Sequence, residues 1–217
     1  MAEETKPAKP VAVMATVPWD GPVPALLREH LGPAVLETNQ YLDQPFAVLA
    51  LDAILPAIEL LRDQADFDFL VDITAVDYPQ RDPRFELVYI LYSHSRNERI
   101  RLKALVKSSD TPRSVVPLFV GANWLEREVF DMFGVTFRGH PDLRRILMWD
   151  TYAEGFPLRK DFPLRGNFTR AEQTRQVLAA NPEANYSLEE LTIADAFDEL
   201  PEDMKRRLAR GERGETR

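Results

Sequence analysis

The stretch Asn123–Met148, NWLEREVFDMFGVTFRGHPDLRRILM, decides how this chain is read. Leu125, Val129, Met132 and Phe133 fall at i, i+4, i+7 and i+8, the single apolar stripe of a helix. Asn123 has N-cap chemistry, with Glu126 as a capping-box acid at the third helical position. Gly134 stands where a left-handed residue stops a helix. Arg127 and Asp131 lie four apart on the other face, worth about 0.2–0.5 kcal/mol as an exposed pair. Two residues do not fit a simple surface helix. At about 100° per residue, Glu126 falls beside Phe130 and Phe133 on the edge of the apolar stripe, while Trp124 points to the charged side. Two readings stay open. Either Glu126 caps the helix and Trp124 lies flat over its neighbours, or both faces are buried, one by this chain and one by another protein.

Several residues in this stretch form a recognisable signature: Glu126-Arg127-Glu128, Asp131-Met132-Phe133-Gly134, Phe137, Gly139-His140 and Asp142-Leu143-Arg144-Arg145-Ile146-Leu147. Pro157-Leu158-Arg159-Lys160-Asp161-Phe162-Pro163-Leu164 follows as a second motif. In order and separation the two resemble the thirty-kilodalton subunit of NADH-quinone oxidoreductase, the respiratory complex I. The resemblance extends in overall pattern from Phe46 to Gly166. It implies a non-redox structural subunit of the peripheral arm, a clamp between cluster-bearing and quinone-site subunits. NADH, flavin, iron–sulfur clusters and quinone would all sit in partner subunits, with no cofactor bound by this chain. It also implies a place on the cytoplasmic side of the bacterial inner membrane, reached only through partners. On this reading Glu126, Arg127, Glu128, Asp131, His140, Asp142, Arg144 and Arg145 are partner-interface residues. Phe156, Pro157, Arg159, Lys160, Asp161 and Phe162 extend that interface. The equivalent subunit of a related membrane-bound hydrogenase or other complex I-like dehydrogenase is the alternative, and a stand-alone α+β enzyme is a further one.

The residues themselves narrow the chemistry. The chain has no cysteine, which excludes disulfides, a thiolate nucleophile and the usual iron–sulfur ligation. His30, His94 and His140 are far apart and lack carboxylates at ligand spacing, so no metal site is expected. Glu126 and Glu128 are two apart on a helix and point about 160° from each other, so they cannot face one substrate together. His140 before Pro141 reads as the orderer of a turn. No glycine-rich phosphate loop is present, which argues against nucleotide binding. A net charge of −8 argues against nucleic acid. Charge is uneven: 138–175 carries eight bases and five acids, 183–203 eight acids and no base, and 205–217 six bases and two acids. Such blocks suit docking surfaces, tails or solvated helix faces.

Outward from the signature, the pattern is α+β: a mixed β-sheet with helices packed on it, followed by an extended carboxyl-terminal arm. A flexible tail is expected over 1–20, the α+β domain over 21–148, and the arm with a charged helical tail over 149–217. Val11–Val17 is too short for a signal peptide, and no apolar run reaches the ~20 residues that span a bilayer. Pro22–Leu31 reads as a helix and Ala34–Tyr41 as a strand. Phe46–Ala50 is of strand length, and Asp52 caps a helix running to about Gln64. Residues 68–77, 85–93 and 100–106 alternate as strands, the last two joined by a hairpin turn. Pro157 and Pro163 forbid a helix in 152–166. That segment reads as an arm lying on another surface or, alternatively, wrapping back over its own sheet. Leu188–Glu199 and Pro201–Gly211 read as terminal helices.

Overall fold

The computed structural model describes residues 15–164, Gly166 and three isolated helical positions, Glu172, Arg175 and Ala179. The remaining positions, including the expected terminal helices at 188–199 and 201–211 and most of the expected N-terminal tail, lie outside the described residues. Two compact units are present: Met1–Met148 with Glu154–Gly166, and Trp149–Ala153 with Asn167–Arg217. The first carries the fold.

Its strands are β1 (Val17–Pro18), β2 (Val35–Tyr41), β3 (Gln44–Leu49), β4 (Phe69–Asp77), β5 (Phe85–Ser93) and β6 (Glu98–Val106). Its helices are α1 (Pro22–Leu31), α2 (Ile54–Ala65) and α3 (Ala122–Phe133). The sheet runs β1-β2-β3-β6-β5-β4. All pairs are antiparallel except β3 with β6, which makes the sheet mixed. The expected α+β class is therefore observed. The parallel pair arises because α2 carries the chain from β3 to the far edge, and the β4-β5-β6 meander then returns to β3.

Cross-strand rows fix which face is the core. Ile73 pairs with Tyr89, and Tyr89 with Leu102, which pairs with Ala47. These residues, with Leu27 of α1, Ile58 and Leu61 of α2, and Val129 of α3, belong to one buried cluster. All three helices thus cover the same side of the sheet, and the helix-facing residues supply its hydrophobic stabilisation.

Two expected caps differ. No side-chain cap is found on α2, where a 3₁₀ turn at Leu51–Ala53 leads in ahead of Pro56. α3 starts at Ala122 with Gly121 as its N-cap, so Asn123 lies inside the helix. Gly134 ends α3 in the left-handed region at φ 76°, its N–H donating to the Phe130 carbonyl, as expected.

The main difference concerns the segment after Met148. Residues 154–164 belong to the first unit, in place of a boundary at 148 followed by an extended arm. The chain turns repeatedly here, and the Leu158 N–H donates to the Met132 carbonyl at 3.1 Å. Prolines exclude a helix without enforcing extension, since turns satisfy them equally well. The anchors that hold these turns lie on α3 and β4.

Candidate functional site

The signature residues converge on α3. Glu126, Arg127 and Asp131 are all buried. The second face of the helix is covered by this chain's own 144–148 and 155–159 segments, so the two open readings of Glu126 and Trp124 resolve into a third. Arg127 donates from Nε to the Arg144 carbonyl and from Nη2 to the Arg145 carbonyl, both at 3.1 Å. Its guanidinium lies 5.3 Å from the ring of Trp124, which is 60% exposed.

Asp131 is the anchor of the crossing. Its Oδ2 accepts the backbone N–H groups of Ile146, Leu147 and Met148 at 3.0, 2.8 and 2.8 Å. Its Oδ1 accepts from Arg145 Nη1 at 2.6 Å. Burial pushes this carboxyl up, but the Met148 N–H, the Arg145 guanidinium and the other two N–H groups outweigh it and hold it below the usual carboxylate range. Arg145 also donates to the carbonyls of Asp131 and Gly155, each at 3.2 Å.

Beyond the helix, the second motif locks on. Arg159 donates from Nε to the Phe133 carbonyl at 2.6 Å, and its guanidinium lies 4.4 Å from the Phe156 ring and 5.3 Å from that of Phe85. A Cβ on Gly134 would meet the Phe156 ring at 2.5 Å and Arg159 Nη2 at 2.6 Å. Glycine is thus required here for its φ and for the close approach of the returning segment. Asp77, at the end of β4, accepts two bonds from Arg84 at 2.7 and 2.8 Å and one from the Lys160 N–H at 2.8 Å. Arg84 also bridges to Asp161, at 2.9 and 3.1 Å. The Arg84 guanidinium holds both the Asp77 and Asp161 carboxyls below their usual range.

Glu126 is a case apart. Oε1 accepts the Val115 N–H at 2.6 Å, and Oε2 has no hydrogen-bond partner among the described residues. Burial pushes its carboxyl up to about 7, against smaller opposing contributions from the Val115 N–H and the Ser114 side chain. The buried Tyr89 hydroxyl is likewise without a partner among the described residues, and burial followed by the charge of Glu126 raises its pKa.

The remaining predicted site residues sit differently. His140 accepts the Asp142 N–H at Nδ1, 3.0 Å, and so donates from Nε2 to the Asn123 carbonyl at 3.2 Å. These two bonds order the turn. Asp142 and Arg144 form an exposed pair at 2.9 Å. Glu128, Lys160 and Asp161 are exposed, while Pro157 and Phe162 are half-buried. Sequence reasoning missed Asp77, Arg84 and Tyr89. The first two lie at opposite ends of the β4–β5 connection, a loop whose local sequence carries no hint of the second motif docking there. Among the described residues, no group of three His, Cys, Asp or Glu is placed to hold a metal, and no helix is long and apolar enough to cross a membrane.

Residues 47–168 match the family described as respiratory-chain NADH dehydrogenase, 30 Kd subunit. The chain belongs to that family. It is 47% identical to the NADH-quinone oxidoreductase C subunit of Brucella abortus (strain 2308) over 148 residues, 67% of this chain and 73% of the relative. The corresponding protein of Brucella ovis is 46% identical over the same length and shares of the two chains. The fold is also shared with a chain in the structure of the membrane-bound sulfane sulfur reductase, an archaeal respiratory membrane complex. That match has a TM-score of 0.56 at 23% identity, covering 71% of this chain and 88% of the other. Both signature motifs fall inside the matched stretch, so the internal lock described above belongs to the part of the chain that carries the family likeness.

Proposed function

We propose that this chain is a structural subunit of the peripheral arm of a proton-pumping NADH:quinone oxidoreductase. It holds cluster-bearing and quinone-site subunits together during electron transfer from NADH to quinone, without a catalytic centre or cofactor of its own. It sits on the cytoplasmic side of the bacterial inner membrane and meets the membrane only through partners. The carrying observation is how its charged signature is used. Arg127, Asp131, Arg145 and Arg159 are bonded to this chain's own backbone and side chains, and Glu126 and Asp131 are closed to solvent. That is the chemistry of a rigid scaffold, since a general acid or base must reach the group it serves. Partner contacts then fall to the outward-facing members of the signature, Glu128, Asp142, Arg144, Lys160 and Asp161.

The kinship to quinone-linked relatives at 46–47% identity favours this enzyme over a related membrane-bound complex. Deleting the chain tests the reading. Membranes from the deletion strain are expected to lose NADH:quinone reductase activity while NADH oxidation by an artificial acceptor persists in the cluster-bearing subunits. Full quinone reductase activity in an assembled complex lacking the chain would refute it.

A further inference from the structure

The sheet has a second face. Row by row it presents Val76-Glu86-Leu105, then Thr74-Val88-Lys103-Val48, then Asp72-Ile90-Arg101-Phe46, then Phe69-Tyr92-Arg99. None of these apolar residues belongs to the core cluster that the three helices cover. Phe69, Val71 and Leu105 are exposed hydrophobics.

At the hairpin end this face forms a shallow cavity of about 470 Å³, lined by Phe69, Val71, Tyr92, His94, Asn97 and Arg99. The cavity is built. The His94 ring meets Phe69 and Tyr92 edge-on, at 5.6 and 5.0 Å between centroids. Asp68 fixes that ring through Nδ1 at 3.0 Å, and the Tyr92 hydroxyl donates to Asn97 Oδ1 at 2.6 Å.

The charges are arranged unequally. Lys103 is neutralised by Glu86 at 2.7 Å. Arg99 has no ion pair among the described residues, and Arg101 has only a 3.5 Å contact to the Gln44 carbonyl. Asp72 lies two strands away from Arg101, on the edge strand. Two guanidinium groups thus stand in line on the central strand, beside an aromatic cradle and a strip of aliphatic side chains. An apolar face alone accepts many occupants, but this one asks for carboxylates next to an apolar side chain.

We propose that the sheet face opposite α1, α2 and α3 docks an acidic–apolar segment of a neighbouring subunit. One apolar side chain enters the Phe69–Tyr92–His94 cradle, and carboxylates rest on Arg99 and Arg101. The inference rests on the reading of the chain as a structural subunit and adds the surface and the partner's chemistry to it.

The test uses the assembled complex. A photo-cross-linking amino acid is placed at Tyr92, and the chain is first shown to migrate with the complex. The expected result is a single adduct to another subunit, at a peptide with Asp or Glu beside a large apolar residue. In parallel, Arg99→Glu with Arg101→Glu is expected to lower retention of that subunit about tenfold, while Arg99→Lys with Arg101→Lys retains most of it. An adduct to residues 167–217 of the same chain, to a second copy, or to no protein overturns the docking surface and leaves the structural role standing. A chain that does not migrate with the complex overturns both.

Discussion

Replacing Glu126 by Gln gives the sharpest test of the buried carboxyl on α3. Raising a carboxyl from its ordinary 4.5 to about 7 corresponds to about 3 kcal/mol, at 1.36 kcal/mol per tenfold change in proton affinity. The folded chain keeps a proton that the unfolded chain releases. The contribution is therefore fully present below about pH 4.5 and is lost as pH rises through about 7. Glutamine keeps the Oε1 acceptor for the Val115 N–H and never ionises. Urea unfolding followed by tryptophan fluorescence is expected to place wild type and Glu126→Gln within about 1 kcal/mol of each other at pH 4.5, as for an isosteric polar swap. At pH 8 the variant is expected to be more stable by up to about 3 kcal/mol. For a domain of this size that is about 6–12 °C in melting temperature. Other carboxylates titrate equally in both proteins and cancel in the difference. A difference that stays constant from pH 4.5 to pH 8 would show that Glu126 is not the proton carrier, and the burial argument would fail.

Gly134→Ala is expected to cost about 2–4 kcal/mol, combining left-handed strain with overpacking against Phe156. Gly139→Ala, at φ 83° with nothing within 4 Å of its Cβ, should cost only the strain of about 1–2 kcal/mol. Equal losses in thermal unfolding would discredit the close-approach argument. Asp131→Asn should destabilise by about 2–4 kcal/mol at pH 7, because the amide nitrogen must face either the Arg145 guanidinium or the three backbone N–H groups, donor against donor, and the charge is lost. Since the Asp131 carboxyl is held low, its stabilisation is present above the usual carboxylate range and disappears as pH falls through its depressed value. The variant should lack that part of the acid limb in pH-dependent unfolding. Arg159→Ala removes the bond to the Phe133 carbonyl and the stacking on Phe156. Proteolysis within 155–164 should accelerate while the β-sheet circular dichroism signal persists, and unchanged cleavage would count against the lock.

Much of the fold was legible because it rests on periodicity. The alternation over 85–93 and 100–106 marks β5 and most of β6, α2 keeps one apolar face, and Gly134 announces a helix end. Caps were less legible. Asp52 and Asn123 have capping chemistry, but a 3₁₀ lead-in and Gly121 take those positions, since local hydrogen bonds to backbone compete on nearly equal terms. Of the candidate site, the residue types around Asp131 were readable, but their direction was not. An Arg or Asp at a given helix angle looks the same whether its partner is foreign or its own chain.

The sequence by itself determined the α+β class, the end of α3 at Gly134 and its start to within two residues, and kinship to the complex I family, because spacing and motif order are properties of the linear chain. Only the tertiary structure decided that the second motif folds back onto Gly134, Asp77 and the carboxyl end of α3. It alone decided that Glu126 is buried with one carboxyl oxygen unpartnered among the described residues, and that α1, α2 and α3 all lie on one side of the sheet. Those outcomes depend on which groups far apart in the chain satisfy one another's hydrogen bonds once water is excluded, and no local pattern encodes that.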